Sequence, residues 1–279
     1  MKRILTFILL LCNLSCHKND GAVDEVLQES KILLIGNSFF KPYAQHLDHL
    51  VEEAGIENHD ATLIFRGGEN GRPINFWNDS NSNEHQQIKN ILDQGDVMYF
   101  GMTAGHDSEN PTEGHRAWIE YALHNNPEVT IFIAIPNIDY PADWDQLVQD
   151  FGFYSVQDLY SYFVNDIVHH DIVDELRAEF PSTNIFTIPT GWSAVHLKQM
   201  YHDNALLDDI ALFGPKPTSI FTDDKGHQGQ IVIETGTLVW LNGIYGIEIE
   251  TFDYDSGFLT DLNAIAQDII DNHDANYKQ

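Results

Sequence analysis

Short apolar runs alternate along this chain with longer stretches whose apolar positions recur at helical spacing, and that alternation narrows the fold more than any other feature. KILLIG (31–36) reads as a buried strand, and KPYAQHLDHLVEEAG after it as a helix with Tyr43, Leu47, Leu50, Val51 and Ala54 on one face. ATLIF (61–65), DVMYFGM (96–102), VTIFIAIP (129–136) and NIFTIP (184–189) supply four more strands. Helices are expected over HQQIKNILDQG, HRAWIEYALHNN, 156–180, TGWSAVHLKQMYHDNALL, HQGQIVIETGTLVWLNGIYG and SGFLTDLNAIAQDIIDN. RGGENGRPINFWNDSNSN and TAGHDSENPTEG read as loops, and residues 137–154 as irregular.

Strands joined through helices call for right-handed crossovers and parallel pairing, because a helix returns the chain to the same end of the sheet. The expected fold is therefore α/β: one three-layer α/β/α, flavodoxin-like domain over 31–279 with a five-stranded, mostly parallel sheet. In such sheets chemistry gathers beyond the carboxyl ends of the strands. Ser38 follows strand one, Gly67 and Gly68 follow strand two, and Thr103 follows strand three, so all three arrive at one edge.

Residues 1–15 read as a targeting leader, not as part of this domain. Lys2 and Arg3 precede an apolar stretch, 4–11, broken only by Thr6, which is too short to span a bilayer. It ends in Asn13-Leu14-Ser15-Cys16, which resembles the cleavage box of bacterial lipoproteins. That resemblance implies lipidation of Cys16, a polar tether over 16–30 and an exported, envelope-anchored protein, with lipid as the sole membrane attachment. The alternative is an ordinary secretory signal with Cys16 an incidental thiol; the polar tether favours the lipoprotein. Both cysteines, Cys12 and Cys16, lie here, which leaves the domain no disulfide and no cysteine metal ligand.

Charge removes one large class of partner. With 43 acidic against 14 basic residues the chain carries −29, and loss of Lys2 and Arg3 with the leader makes it −31. Such a field repels nucleic acid and anionic surfaces. No Walker loop or dinucleotide-binding glycine pattern follows any strand, and no HExxH occurs, so no cofactor or metal is expected. His46 with His49, the run His169-His170-Asp171 and the pair His106-Asp107 are the residual metal-like groupings among fourteen histidines.

Gly36-Asn37-Ser38 and the distant Asp224-Lys225-Gly226-His227 together contain a hydroxyl nucleophile, an imidazole base and a carboxylate, the three parts of an acyl-transfer site. Taken singly each has a plainer explanation. Serine after a strand can cap the next helix, and Asp224 with Gly226 can merely form a turn. As a pair, in this order and in these contexts, they resemble the first and last blocks of the SGNH (GDSL-like) hydrolases, over 31 to about 245.

That resemblance implies Ser38 as nucleophile, His227 as base and Asp224 as the residue that orients the imidazole. It also implies an oxyanion hole from the Ser38 and Gly68 amides and a third donor after strand three. Thr103 stands where the family has asparagine, with Asn70, Asn78 and His106 as possible substitutes. The activity it implies is ester hydrolysis, with an acetylated carbohydrate or another small ester as substrate, and Trp77, Trp144 and Trp192 as candidate sugar platforms. A lipase- or thioesterase-like acyl hydrolase, its pocket supplied by 137–154, is the nearest alternative. A catalytically silent glycan-binding lipoprotein is the more distant one, and the departure at Thr103 is what favours it.

Overall fold

In the computed structural model, residues 30–105 and 110–279 are described; the leader, Cys16, most of the tether and His106 lie outside them. Five strands form one wholly parallel sheet: β1 (Ser30–Gly36), β2 (His59–Phe65), β3 (Tyr99–Thr103), β4 (Thr130–Ala134) and β5 (Ile185–Ile188). Their spatial order is β2-β1-β3-β4-β5. The order reverses at β1, where the chain first goes outward to β2 and then returns to the other side for β3. Ser38 follows the strand at that switch point, where the connections diverge and leave a crevice. Helices flank the sheet, giving the expected three-layer α/β/α arrangement.

The residues explain the layers. Ile32, Leu33, Leu34 and Ile35 are all buried, as expected of a central strand covered on both faces. The helix α1 (Lys41–Glu53) buries Tyr43, Ala44, Leu47, Leu50 and Val51 and packs beside α9 (Gln230–Tyr245). Almost every side chain of α9 from Ile231 to Leu241 is buried, so it is an interior helix rather than an amphipathic one. Its Trp240 meets Phe40 and Phe132 edge-on, at ring-centre distances of 4.9 and 5.4 Å. Two more helices, α8 (Trp192–His202) and α10 (Leu262–Asn272), pack against α9. Elsewhere α2 (Pro73–Asn78), α3 (Asn83–Leu92) and α4 (Glu113–Asn125) gather around the buried Trp118, against which Trp77 and His85 pack.

Several segments differ from expectation. The loop after β2 contains α2, a helix started by Pro73 that is too short to show a period. The irregular stretch contains α5 (Trp144–Phe151), ended by Gly152 in a left-handed conformation at φ 74°. The long helix is present but not uniform: α6 (Val156–Tyr162) widens into a π-helix over Phe163–Asp174 and recovers as α7 (Glu175–Glu179). A separate two-stranded parallel sheet, β6 (Ala211–Phe213) with β7 (Ser219–Phe221), lies where a loop is expected.

The tryptophans are packing residues. Trp144 is buried beside Phe221, Trp192 meets Tyr160 edge-on, and Trp77 meets Trp118. Trp144 is wholly buried, and Trp77 and Trp192 are partly covered by these ring contacts. No helix among the described residues is long and apolar enough to cross a membrane.

Candidate active site

Ser38 owes its availability to its neighbour. Asn37 Oδ1 accepts from the backbone N–H groups of Phe39 (2.9 Å) and Phe40 (3.3 Å) at the mouth of α1. The side chain spent on this turn is that of Asn37, and α1 itself has no side-chain cap, so the Ser38 hydroxyl is left for another partner. That partner is His227, whose Nε2 lies 2.8 Å from Ser38 Oγ.

His227 is held by a tight loop between β7 and α9. Its carbonyl accepts from Thr222 N–H at 2.7 Å, and its ring stacks on Phe39 with centres 4.9 Å apart and planes 16° from parallel. Gly226 sits at φ +98°, and a Cβ there would lie 2.8 Å from Pro141, so glycine is required twice over. The neighbouring loop is tied in through Tyr140 N–H donating to the Lys225 carbonyl at 3.0 Å.

The carboxylate on the far side of the imidazole belongs to Asp223, not Asp224. Asp223 Oδ2 is 2.6 Å from His227 Nδ1, while Asp223 Oδ1 accepts from the backbone N–H groups of Gly226 (3.1 Å) and His227 (3.2 Å). The physical reason is the turn itself. A carboxylate four residues before the histidine can cap the turn with one oxygen and reach the ring with the other. Asp224 lies within that turn, exposed, and makes no hydrogen bond to His227. Partial burial pushes the Asp223 carboxyl up, but hydrogen bonds from the His227 ring, the His227 backbone and Gly226 outweigh it and hold the group below the usual carboxylate range. With Asp223 ionised, Nδ1 carries the imidazole proton and Nε2 is free to accept from the Ser38 hydroxyl.

The expected oxyanion donors fare differently. Gly68 is half-buried at φ +56° and opens a short 3-10 turn, Gly68–Gly71, where a Cβ would meet nothing within 4 Å. The loop glycine that touches the nucleophile turn is Gly71: a Cβ there would lie 2.6 Å from Asn37 Cα and 2.5 Å from the Arg66 carbonyl oxygen. Asn70 is exposed on the same turn, and Asn78 is exposed at the end of α2. Thr103 is wholly buried, its hydroxyl without a hydrogen-bond partner, and its carbonyl accepts from His115 Nε2 at 3.1 Å. It does not line the cavity beside Ser38.

Asn37 and Phe39 also line a cavity of about 620 Å³. Two ion pairs flank it, Arg72 with Glu69 and Lys225 Nζ with Asp139 Oδ2 at 3.5 Å. Burial pushes the Asp139 carboxyl up, against the opposing pull of Lys225. Beyond these charges the walls are apolar, from residues of the 137–153 segment and the following helix. Neither Asp223 nor Arg72 is singled out by the sequence, where only the doubled aspartate at 223–224 offers a signal; Gly71 is one of the three glycines of RGGENG, with Gly67 and Gly68, among which the sequence reading selects Gly68. The metal-like histidine groupings are occupied: His46 bonds Glu234 at 2.7 Å and His169 bonds Thr187 at 3.0 Å. No described group of three or more His, Cys, Asp and Glu could hold a metal ion.

No family model matches the chain, and no curated protein matches it. Among solved structures it is similar to a DUF4886 family protein from Bacteroides uniformis ATCC 8492, at 13% identity and TM-score 0.56, over 87% of this chain and 95% of that one. It also aligns with a candidate GDSL-like lipase from Parabacteroides merdae ATCC 43184, at 11% identity and TM-score 0.46, over 80% and 98%. A third match is the periplasmic domain of a lipopolysaccharide acetyltransferase from Salmonella ser. Paratyphi A, at 13% and TM-score 0.37, over 61% and 70%. The likeness to the first is one of fold, and the two weaker ones add nothing to it.

Proposed function

We propose that the protein is a serine ester hydrolase acting through an acyl-enzyme. One observation carries the reading: the unbroken hydrogen-bonded series Ser38 Oγ, His227 Nε2, His227 Nδ1, Asp223 Oδ2 at 2.8 and 2.6 Å. Nucleophile and base are within bonding reach, and the base is oriented by a third group, which is the geometry covalent acyl transfer needs. A silent binding protein has no need of such a series.

Ser38 Oγ adds to the ester carbonyl carbon as its proton passes to His227 Nε2. The Ser38 N–H donates to the oxyanion. Collapse breaks the bond to the alcohol, which leaves with the proton from Nε2, and the acyl group stays on Ser38. Water then adds to the acyl carbon, giving a proton to Nε2. The second collapse releases the acid and returns the proton to Ser38. Throughout, Asp223 fixes the tautomer and stabilises the transient imidazolium.

The narrower expectation, deacetylation of a carbohydrate at the cell envelope, rests on the leader, on Cys16 and on family analogy. The packed tryptophans remove one of its supports. The cavity beside Ser38 favours the acyl-hydrolase alternative. Labelling by a fluorophosphonate serine probe tests the reaction class. Intact protein labels stoichiometrically, and Ser38→Ala and His227→Ala abolish it; absence of labelling in the intact protein refutes the proposal.

A further inference from the structure

The cavity that Asn37 and Phe39 share with the nucleophile turn is built for something larger than acetyl. Its volume, about 620 Å³, falls in the range of roughly 300–1,000 Å³ that takes a drug-sized ligand. Beyond the ion-paired mouth the wall is Leu147, Phe153, Leu159, Phe163 and Ile167. These come from α5, the loop after it, α6 and the π-helix, four consecutive pieces of the chain that together present one apolar surface. Phe163 and Ile167 belong to the π-helical stretch, whose wider turn sets their spacing on the wall.

We infer that this cavity is the acyl-chain site, and that the substrates are esters of fatty acids long enough to fill it rather than acetyl esters. The inference rests on the hydrolase reading above for the chemistry, but the site itself is a matter of apolar shape next to Ser38. The charges argue for the same orientation. Arg72 is paired with Glu69, and Lys225 with Asp139, so the mouth is electrically balanced and has no cation left over for an anionic acyl group. A neutral apolar chain can pass it without stripping a charge of its partner. Acetyl would reach none of the far wall and would leave that apolar surface wet, so it gains nothing from the cavity.

Each methylene buried against such a wall is worth about fourfold in kcat/KM. Hydrolysis of p-nitrophenyl acetate, butyrate, hexanoate and octanoate should therefore show kcat/KM rising with chain length, by up to about 4,000-fold from acetate to octanoate when all six added methylenes are buried. Leu159→Trp and Ile167→Trp, each fill-in checked for folding by circular dichroism, should collapse the octanoate-to-acetate ratio. The second measurement needs no catalysis: Ser38→Ala is titrated with the neutral amides octanamide and acetamide by calorimetry, and octanamide alone should bind. A flat or falling chain-length profile, or no octanamide binding, overturns the acyl-chain site even if the probe labels Ser38. Absence of labelling together with octanamide binding sinks the hydrolase reading and keeps the site.

Discussion

Replacing Asp223 by Asn, and separately Asp224 by Asn, distinguishes two adjacent carboxylates that the sequence presents as equals. An amide at 223 keeps a carbonyl oxygen to accept from the Gly226 and His227 backbone, bonds now 3.1 and 3.2 Å long. Its nitrogen, however, would face His227 Nδ1 at the position of an oxygen now 2.6 Å away. An NH₂ there cannot accept, so the imidazole turns to the tautomer with its proton on Nε2. Ser38 then has no acceptor for its proton. An inverted tautomer of this kind costs about 10⁴-fold in turnover, or about 5 kcal/mol of transition-state stabilisation at 1.36 kcal/mol per tenfold. The fold should lose about 1 kcal/mol or less, because the pair replaced is partly exposed. Asp224→Asn should stay within about threefold of the parent, since that side chain is exposed and bonds nothing at the ring. The assay is kcat/KM on a chromogenic ester, with melting temperature as control. A loss at Asp224 as large as that at Asp223 would refute the assignment of the orienting carboxylate.

Thr103→Val removes a buried hydroxyl without a partner and should raise stability by about 1 kcal/mol with turnover within a few-fold; a drop of about a hundredfold or more would make that hydroxyl an oxyanion donor after all. Gly71→Ala drives a methyl into the backbone of Asn37 and Arg66, so it should cost about 1–3 kcal/mol and depress labelling of Ser38. Gly68→Ala, at φ +56° in open space, should cost about 1–2 kcal/mol of conformational strain with labelling kept; equal losses of labelling in both would count against Gly71 as the contact. Burial holds His115 down to about 4, against the weaker upward pull of its bonds to Thr103 and Pro111. The unfolded chain takes up that proton near pH 6.5 and the folded one resists, so stability falls as pH drops from about 7 to 5, by about 2 kcal/mol. His169 and His273 are likewise held down by burial, to about 3 and about 4, so His115→Gln should lower the slope of that limb by about a third, and an unchanged slope would contradict the burial argument.

The strands were readable because central parallel strands are buried on both faces, and KILLIG, VTIFIAIP and NIFTIP therefore show as mostly apolar runs without polar alternation. Helices α2 and α5 were not, because six and eight residues hold too few turns to establish a period. The widening of α6 into a π-helix leaves no mark on apolar spacing at this length. At the site, Ser38 and His227 were legible from order and context. Asp223 was not, because what selects it over Asp224 is an Asx-type turn that uses both of its oxygens. Gly71 was hidden among three glycines that differ in what lies opposite them, a property of the fold and not of the string RGGENG.

Asn37 and Ser38 both carry a short polar side chain in the turn that leads into α1, and only Asn37 is spent on that turn, through the Phe39 and Phe40 N–H groups. The Ser38 hydroxyl keeps His227 as its partner. The set of residues that activity depends on therefore reaches past the hydrogen-bonded series itself. A comparison restricted to positions 38, 223 and 227 would pass over a change at Asn37 that leaves all three intact and removes what holds their turn.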